Sequence, residues 1–387
     1  MQAAGLGQFF SRRFVASVAA ALVALTLAAP PAAAGQPADI KLASADDGRT
    51  LKLGDIANDD NLVAVVYQEK NLSYARWSKN YGQSFGPKAA LRNGLRAKDP
   101  RIAACSDLFY AVSSWQTATS RNVGVDYRDV VTGENGRYSL GPGDLADVAC
   151  YGEIAAVTWV HDGHLWLAAH ERGCANPCTP TVKLDLGTGN FDSPPRITAD
   201  YSGFAVTWLT SGLAIQRFTY VLEAGGPFTL APEPVLTLMS GKDVRAPAIA
   251  ALGERTVVAY ARDGQTHVRL SGDAGASFGP RIIVSNFCRN CPYGGSEPLS
   301  VAVRGDVILV ELLRGDGRAT PPAFSAHGRV STDNGSHWTS TTGHAGGFQM
   351  GVSLTSSTIA EVWDSHFYNG FPYPETEQVI GYHVHNL

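Results

Sequence analysis

The sequence predicts an all-β fold, a single seven-bladed β-propeller, from three observations. Short apolar strings recur about every 50 residues along the chain. The composition suits many short strands joined by tight turns, with 41 glycines, 21 prolines and only 17% charged residues. An apolar segment near the beginning, DIKLAS (39–44), is free to supply the last strand of a ring.

The repeat consists of apolar strings that end in an aromatic residue or, once, in leucine. They are LVAVVY ending at Tyr67, FYAVSSW at Trp115, IAAVTW at Trp159, GFAVTW at Trp208, TVVAY at Tyr260, VILVEL at Leu312 and TIAEVW at Trp363. A period of this length, filled with β-branched residues, is typical of propeller blades. A helical solenoid would need apolar residues spaced by 3.6, which these strings lack. Six blades is the alternative count.

Four segments carry proline just before an apolar alternation. They are DPRIAA (99–104), SPPRITA (193–199), RAPAIAA (245–251) and SEPLSVAV (296–303). Proline has no N–H to donate, so it suits the first residue of a strand. We expect these segments to begin the innermost strands, and the aromatic-ending strings to form the second strands.

These patterns divide the chain into a leader and seven repeats. The predicted blades lie near 55–97, 98–143, 144–190, 191–240, 241–290, 291–345 and 346–387. The last repeat is one strand short, and the segment 39–44 is predicted to fill that place. The ring is therefore expected to close through its N-terminal strand.

Residues 1–34 are predicted to be an export signal rather than part of the fold. Arg12 and Arg13 precede an apolar run over 14–29, and small residues at 32–34 suit cleavage before residue 35. The signal is of the Sec or the twin-arginine type, so we expect a secreted, extracellular protein. No later run is long enough for a membrane helix, so no membrane span is expected.

Six cysteines in an exported chain predict disulfide bonds. Cys174 with Cys178 and Cys288 with Cys291 are close in sequence, which leaves Cys105 with Cys150. A zinc site from the four close cysteines is the alternative, and structural bridges are favoured. The formal charge of −4 and the absence of a basic block predict no nucleic-acid partner.

One turn motif, S-x-D-x-G-x-x-[FW], occurs twice intact and once with asparagine in place of aspartate. Its copies are Ser271, Asp273, Gly275 and Phe278; Ser331, Asp333, Gly335 and Trp338; and Ser78, Asn80, Gly82 and Phe85. The carboxylate or amide can accept backbone N–H groups, and glycine supplies a positive φ. The spacing from the aromatic strings predicts that it lies between third and fourth strands.

The motif resembles the Asp box, or BNR repeat, of the sialidase-like β-propellers. The resemblance implies that these residues hold the fold together on the face opposite the substrate site. CANPC (174–178) stands where the third blade would carry its box, so a Cys174–Cys178 bridge is expected to staple that turn.

Sialidases of this family bind a substrate carboxylate through three arginines and use a tyrosine–glutamate nucleophilic pair with an aspartate as acid/base. Here the F/Y-R-I-P motif of the first arginine is absent, and no spacing fixes a catalytic set. The candidates by position are Arg101, Arg196, Arg245, Glu297, Asp364 and Tyr368.

Two long segments, 314–328 and 364–377, are expected to be loops at the channel mouth. The second combines aromatic rings with polar groups, a combination that suits a sugar. The predicted ligand-binding residues are His366, Tyr368, Tyr373 and Glu375. The same rings could instead pack the loop onto its neighbour.

The sequence therefore favours a secreted propeller that recognises a glycan or another cell-surface ligand without catalysis. The alternative is an exo-sialidase-type glycoside hydrolase acting from the same face. No cofactor and no metal site are predicted, and the sequence leaves the ligand and the oligomeric state open.

Overall fold

The computed structural model describes most of the chain after residue 39. The described residues are 40–45, 51–59, 61–91, 96–117, 119–171, 182–221, 228–241, 243–285, 295–316, 323–341, 344–345, 347–354, 358–365 and 378–386. Their regular elements are β-strands grouped into antiparallel sheets. The prediction of an all-β propeller is confirmed.

The described strands form seven sheets, numbered 1 to 7 here by the chain order of their first strands. The first, innermost strands are β2 (Leu51–Asp59), β6 (Ala97–Cys105), β10 (Asp144–Tyr151), β14 (Arg196–Asp200), β19 (Arg245–Leu252), β23 (Gly295–Arg304) and β28 (Gly347–Leu354). The second strands are β3 (Leu62–Glu69), β7 (Leu108–Gln116), β11 (Ile154–His161), β15 (Gly203–Leu209), β20 (Arg255–Arg262), β24 (Val307–Asp316) and β29 (Thr358–Ser365).

The third and outer strands complete each sheet. The third strands are β4 (Leu72–Ser78), β8 (Arg121–Asp129), β12 (His164–Glu171), β16 (Gly212–Val221), β21 (Gln265–Ser271), β25 (Ala323–Ser331) and β30 (Gln378–Asn386). The outer strands are β5 (Ala89–Ala90), β9 (Asn135–Pro142), β13 (Val182–Thr188), β17 (Thr229–Pro232), β18 (Leu236–Ser240), β22 (Ile282–Ser285), β26 (Thr339–Ser340), β27 (His344–Ala345) and β1 (Ile40–Ala45).

Sheet 7 draws its outer strand from the other end of the chain. Strand β1 pairs antiparallel with β30, with Ile40 opposite Tyr382. The innermost strands contact one another in order from β2 to β28, and β28 in turn contacts β2. The seven sheets thus surround a common axis.

An arginine two residues before each box serine ties a sheet to the one before it. Arg269 donates from Nη1 to Leu238 O on β18 at 2.6 Å, and Arg329 donates from Nε to Val284 O on β22 at 3.2 Å. Arg76 does the same to Leu42 O on β1, at 2.6 Å. In this respect β1 occupies the outer position that β18 and β22 occupy in their sheets.

The core lies between sheets, because the second strands are covered on both faces. Every residue of β3 and of β15 is buried. Among the aromatic residues that end the repeated strings, Tyr67, Trp159 and Tyr260 are each at most 1% exposed. These side chains hold neighbouring sheets together, as the repeat predicts.

The expected position of the prolines is wrong in three of the four segments. Pro100, Pro247 and Pro298 lie inside β6, β19 and β23, at or beside irregularities in the strand register. A bulge leaves a residue without its ladder partner, so proline is tolerated there. The innermost strands therefore begin earlier than the proline rule suggests.

The prediction that the segment 314–328 is a loop is wrong for its described residues, 314–316 and 323–328. Strands β24 and β25 continue their pairing outward to Asp316 opposite Ala323, so the described ends of the segment are a hairpin rather than a loop. Continuous pairing satisfies the backbone N–H and C=O groups that an irregular loop would have to expose.

One predicted disulfide lies within the described residues and is confirmed. Cys105 at the end of β6 bonds to Cys150 near the end of β10, with their Cα atoms 6.0 Å apart. The bond joins sheets 2 and 3. The other four cysteines, at 174, 178, 288 and 291, and the predicted signal at 1–34 lie outside the described residues.

The three box turns share one hydrogen-bond pattern between third and fourth strands. In the turn at 271–278, Ser271 Oγ accepts from Gly275 N at 2.7 Å and donates to Asp273 Oδ1 at 2.6 Å. Asp273 Oδ1 also accepts from Ser277 N at 2.8 Å. The turns at 78–85 and 331–338 repeat these bonds. Such bonds replace the ladder bonds that the turning backbone loses.

Candidate ligand site in the central channel

The channel is lined by one equivalent position on each innermost strand. Each lies opposite the fifth residue of its second strand and therefore faces the axis at the same height. In chain order these positions hold Asp55, Arg101, Asp147, Arg196, Ala248, Ser300 and Gly351. Charges of alternating sign thus line the channel over sheets 1 to 4, and the small residues Ala248 and Ser300 line it over sheets 5 and 6, whereas Gly351 lies outside the cavities.

Local backbone geometry turns these side chains inward. Asp99, Leu145 and Ala246 have positive φ values of 48°, 51° and 48° within the register irregularities of β6, β10 and β19. A positive φ is unfavourable for these residue types, and such strain is often found where a side chain must be aimed. Each strained residue precedes the channel-lining position by two.

Two adjoining cavities follow the axis. One has a volume of about 290 Å³ and the other, nearer the start of the innermost strands, about 200 Å³. Arg101 and Arg196 line both cavities, whereas Asp55 and Asp147 line the larger one. The two guanidinium groups therefore stand at the junction between the channel and its mouth.

The two aspartates are anchored across sheet boundaries. Asp55 Oδ1 accepts from Ile56 N at 2.9 Å, and its Oδ2 accepts from Ile102 N of sheet 2 at 3.3 Å. Asp147 Oδ2 accepts from Ile197 N of sheet 4 at 3.0 Å. Their carboxylates are thus fixed by backbone donors, and their other contacts face the channel.

The two arginines differ in how they are held. Arg101 donates from Nη1 to Gly54 O at 3.1 Å. Among the described residues, Arg196 has no hydrogen-bond acceptor and no carboxylate within ion-pair distance. Its guanidinium therefore presents donors to the channel that the described part of the protein does not use.

Burial and mutual proximity change the ionisation of these groups. Burial raises the pKa of Asp55 to about 6, and the charge of Arg101 opposes this rise. Burial lowers the pKa of Arg196 to about 10, with a further lowering from the charge of Arg101. Arg196 stays protonated at neutral pH, while Asp55 changes its charge in mildly acidic solution.

The rim of the mouth carries exposed ion pairs. Arg245 Nη1 lies 3.2 Å from Glu297 Oε1, and Lys52 Nζ lies 2.7 Å from Asp99 Oδ1. The Arg245 side chain is 59% exposed. Pairs of this kind contribute little to stability.

No family model and no curated protein matches the chain. Phage phi92 endosialidase is similar in structure at 9% identity and a TM-score of 0.49, over 90% of this chain and 69% of that one. Trypanosoma rangeli sialidase is similar at 10% identity and a TM-score of 0.41, over 88% and 60%. A prolyl endopeptidase is similar at 14% identity and a TM-score of 0.49, over 87% and 50%.

The fold is a β-propeller. At these identities the similarity concerns the fold alone. The chain spans only half to three fifths of the length of the sialidase and the prolyl endopeptidase named above.

The propeller brings together only some of the residues selected from its sequence. Arg101 and Arg196 line the same channel, but Arg245 points to Glu297 at the rim and lines neither cavity. Asp364 belongs to β29, opposite Ile380 of β30. His366, Tyr368, Tyr373 and Glu375 lie outside the described residues.

Sequence reasoning missed Asp55 and Asp147. Both stand in apolar alternations, GDIAN and LADVAC, at the place where DPRIAA and SPPRITA carry arginine. Aligning the innermost strands by their distance from the second strands would have found them. No proline precedes either alternation, so the proline rule passed over both.

Within the described residues, no group of three or more histidine, cysteine, aspartate or glutamate side chains is arranged to hold a metal ion. The same part of the chain contains no helix that is long and apolar enough to cross a membrane.

Proposed function

We propose that this protein is a ligand-binding propeller that takes an oxygen-rich ligand, such as a glycan, at the mouth of the channel without catalysis. The observation that carries the proposal is the unused guanidinium of Arg196 beside Arg101 and the anchored carboxylates of Asp55 and Asp147. Guanidinium groups donate to hydroxyl, carbonyl or carboxylate oxygens, and carboxylates accept from hydroxyl groups. A sugar offers both kinds of partner in one ring.

The rim geometry favours binding over hydrolysis. A sialidase-type site needs three arginines that converge beside a tyrosine–glutamate pair. Arg245 is turned to Glu297, so both of these candidates are occupied with each other. Two arginines with two nearby aspartates carry no net charge, which suits a polar ligand as well as an acidic one.

The proposal includes a closed seven-bladed ring. We take the seven sheets as the blades and β1 as the outer strand of the seventh. Support comes from the pairing of β1 with β30 and from the contact of Arg76 with Leu42. A closed ring gives the channel its rigid wall, which lowers the entropic cost of binding.

The proposal also includes export, because Arg12, Arg13 and the apolar run that follows have the pattern of a signal peptide. An exported binder would meet glycans or other cell-surface ligands outside the cell. The mature N-terminus of the secreted protein, determined by mass spectrometry, tests this part.

The binding proposal is tested by screening the purified protein on an array of neutral and acidic oligosaccharides. A ligand found there is then titrated against the wild type, Arg196→Gln and Arg245→Gln. We expect Arg196→Gln to weaken binding about tenfold or more, since a charge-assisted hydrogen bond contributes about 1.5–3 kcal/mol. Arg245→Gln is the matched control and should bind within about twofold, because the rim pair is exposed.

Two results would contradict the proposal. Turnover of a fluorogenic sialoside by the wild type, lost in Arg196→Gln, would establish the hydrolase instead. Equal binding by Arg196→Gln and the wild type would place the ligand elsewhere on the propeller.

A further inference from the structure

Two glutamates interrupt the apolar second strands of neighbouring sheets. Glu311 is the fifth residue of β24, a place that other second strands fill with Val66, Val112, Thr158, Thr207, Ala259 and Val362. Glu361 is the fourth residue of β29, a place that other second strands fill with Val65, Ala111, Val157, Val206, Val258 and Val310. A carboxyl group at either place departs from the repeat.

The two carboxyl groups meet between sheets 6 and 7. Successive residues of a strand face opposite sides of its sheet. Glu311 and Glu361 differ by one position, so they face each other from adjacent sheets, close enough for a hydrogen bond between their carboxyl groups when one of them is protonated. Both side chains are 0% exposed. Neither lines the channel cavities, so this pair is separate from the proposed ligand site.

The contact between sheets 6 and 7, called the joint below, gives Glu311 few other hydrogen-bond donors. Apart from Glu361, no N–H or O–H group among the described residues donates to either of its carboxyl oxygens. Ionised carboxylates only accept hydrogen bonds, so the contact with Glu361 requires a proton between the two groups. Burial raises the pKa of Glu311 well above its usual range, and the charge of Glu361 raises it further.

Among the described residues of the surrounding strands, no positively charged side chain is directed at Glu311. Ser300 of β23 and Gly328 of β25 are its register neighbours. The guanidinium of Arg329 is directed away, toward Val284 O and Ser340 Oγ. The hydroxyl of Thr341 is buried nearby, and His383 of β30 stands opposite Glu361 in the register.

We propose that one proton shared by Glu311 and Glu361 holds the joint between sheets 6 and 7, which makes this joint most stable in acidic solution and less stable as the pH rises. Removing the proton to hydroxide leaves two negative charges in a buried joint. Their repulsion weakens the contact between the sheets next to the β1–β30 closure. The stability of the folded state is therefore lost as the pH rises through the shifted pKa of the pair.

The test is thermal unfolding of the whole protein between pH 5 and pH 10. We expect the wild-type Tm to fall by about 2 °C as the pH rises through this range, a small shift because the Tm responds less to a given change in free energy in a longer chain. Glu311→Gln and Glu311→Val should lose that fall and exceed the wild type at high pH. Valine is the residue that sheets 1, 2 and 7 carry at this place. Glu254→Gln, which removes an exposed carboxylate, is the control and should keep the wild-type profile.

A second readout does not depend on stability. The infrared carbonyl band of a buried protonated carboxyl group should be present in acidic solution and absent in Glu311→Gln and in Glu361→Gln. The proposal is overturned if Glu311→Gln and Glu311→Val follow the wild-type pH profile in parallel, or if both are destabilised equally at every pH. It is also overturned if His383→Gln alone abolishes the fall of the Tm with rising pH.

Discussion

Sheets 1 and 6 place a carboxyl group in the same row of the propeller but on different strands. In sheet 1 the row pairs Asp55 of the innermost strand with Val66 of the second strand. In sheet 6 it pairs Ser300 of the innermost strand with Glu311 of the second. The carboxyl group of sheet 6 therefore lies one strand further from the channel than that of sheet 1, in the contact between sheets rather than at the channel wall.

The surroundings of Asp55 and of Glu311 compensate in different ways for the cost of burying a carboxyl group. Asp55 accepts backbone N–H groups from Ile56 and Ile102, and it has Arg101 close enough to oppose the rise of its pKa. Glu311 meets a second acid, which raises its pKa further. A carboxyl group at the channel can ionise and face a ligand, whereas one in the joint is best kept protonated.

The largest expected effect comes from breaking the joint by overpacking. A Cβ atom at Gly328 would lie 2.0 Å from Thr341 Oγ1 and 2.6 Å from Glu311 Oε1. We expect Gly328→Ala to lower the free energy of unfolding by about 3 kcal/mol, because the added methyl group would force two side chains out of their packed positions. Urea denaturation measures the change.

The matched control for this substitution is Gly272→Ala, where nothing lies within 4 Å of the added methyl group. It should change the free energy of unfolding by about 0.5 kcal/mol or less, as surface substitutions usually do. Equal losses in the two variants would show that the space around Glu311 is not restrictive.

A smaller effect is expected at the channel wall, from Asp147→Ala. The substitution leaves the buried Ile197 N–H without its acceptor at 3.0 Å. An unpaired buried donor costs about 2 kcal/mol, so the free energy of unfolding should fall by that amount. Asp147→Asn keeps an oxygen acceptor and should recover at least half of the loss. Similar losses in both variants would indicate that the charge of Asp147, rather than its hydrogen bond, stabilises sheets 3 and 4.

The propeller was predictable because a similar apolar strand sequence recurs in every sheet. The buried aromatic residues at Tyr67, Trp159 and Tyr260 mark second strands by type and spacing alone. The box turns were predictable for a similar reason, since Ser271, Asp273 and Gly275 act within one short segment.

The channel was harder to predict because its residues come from four sheets. Arg101 and Arg196 could be selected as inner-strand residues, but their distance from Arg245 depends on bulges that shift the register by one residue. Glu311 and Glu361 stand inside the strings VILVEL and TIAEVW, which the sequence analysis used only to mark second strands. Their meeting depends on which face of adjacent sheets each occupies, and a single strand pattern does not contain that information.

The smallest expected effect on stability, and the sharpest on ionisation, concerns Asp55. Its carboxyl group should titrate with a midpoint near the pKa of about 6 that burial gives it. Because this pKa is raised on folding, the contribution of Asp55 to stability is present in acid and falls as the pH rises toward 6. Arg101→Gln removes the charge that most lowers this pKa, so the midpoint should move higher, whereas Lys52→Gln at the rim should leave it unchanged. Carbon-13 NMR of labelled aspartate carboxyl groups measures the midpoint. A midpoint that stays in place in Arg101→Gln would show that the two side chains do not share the channel wall, and the contrast with the acid pair in the joint would then fail.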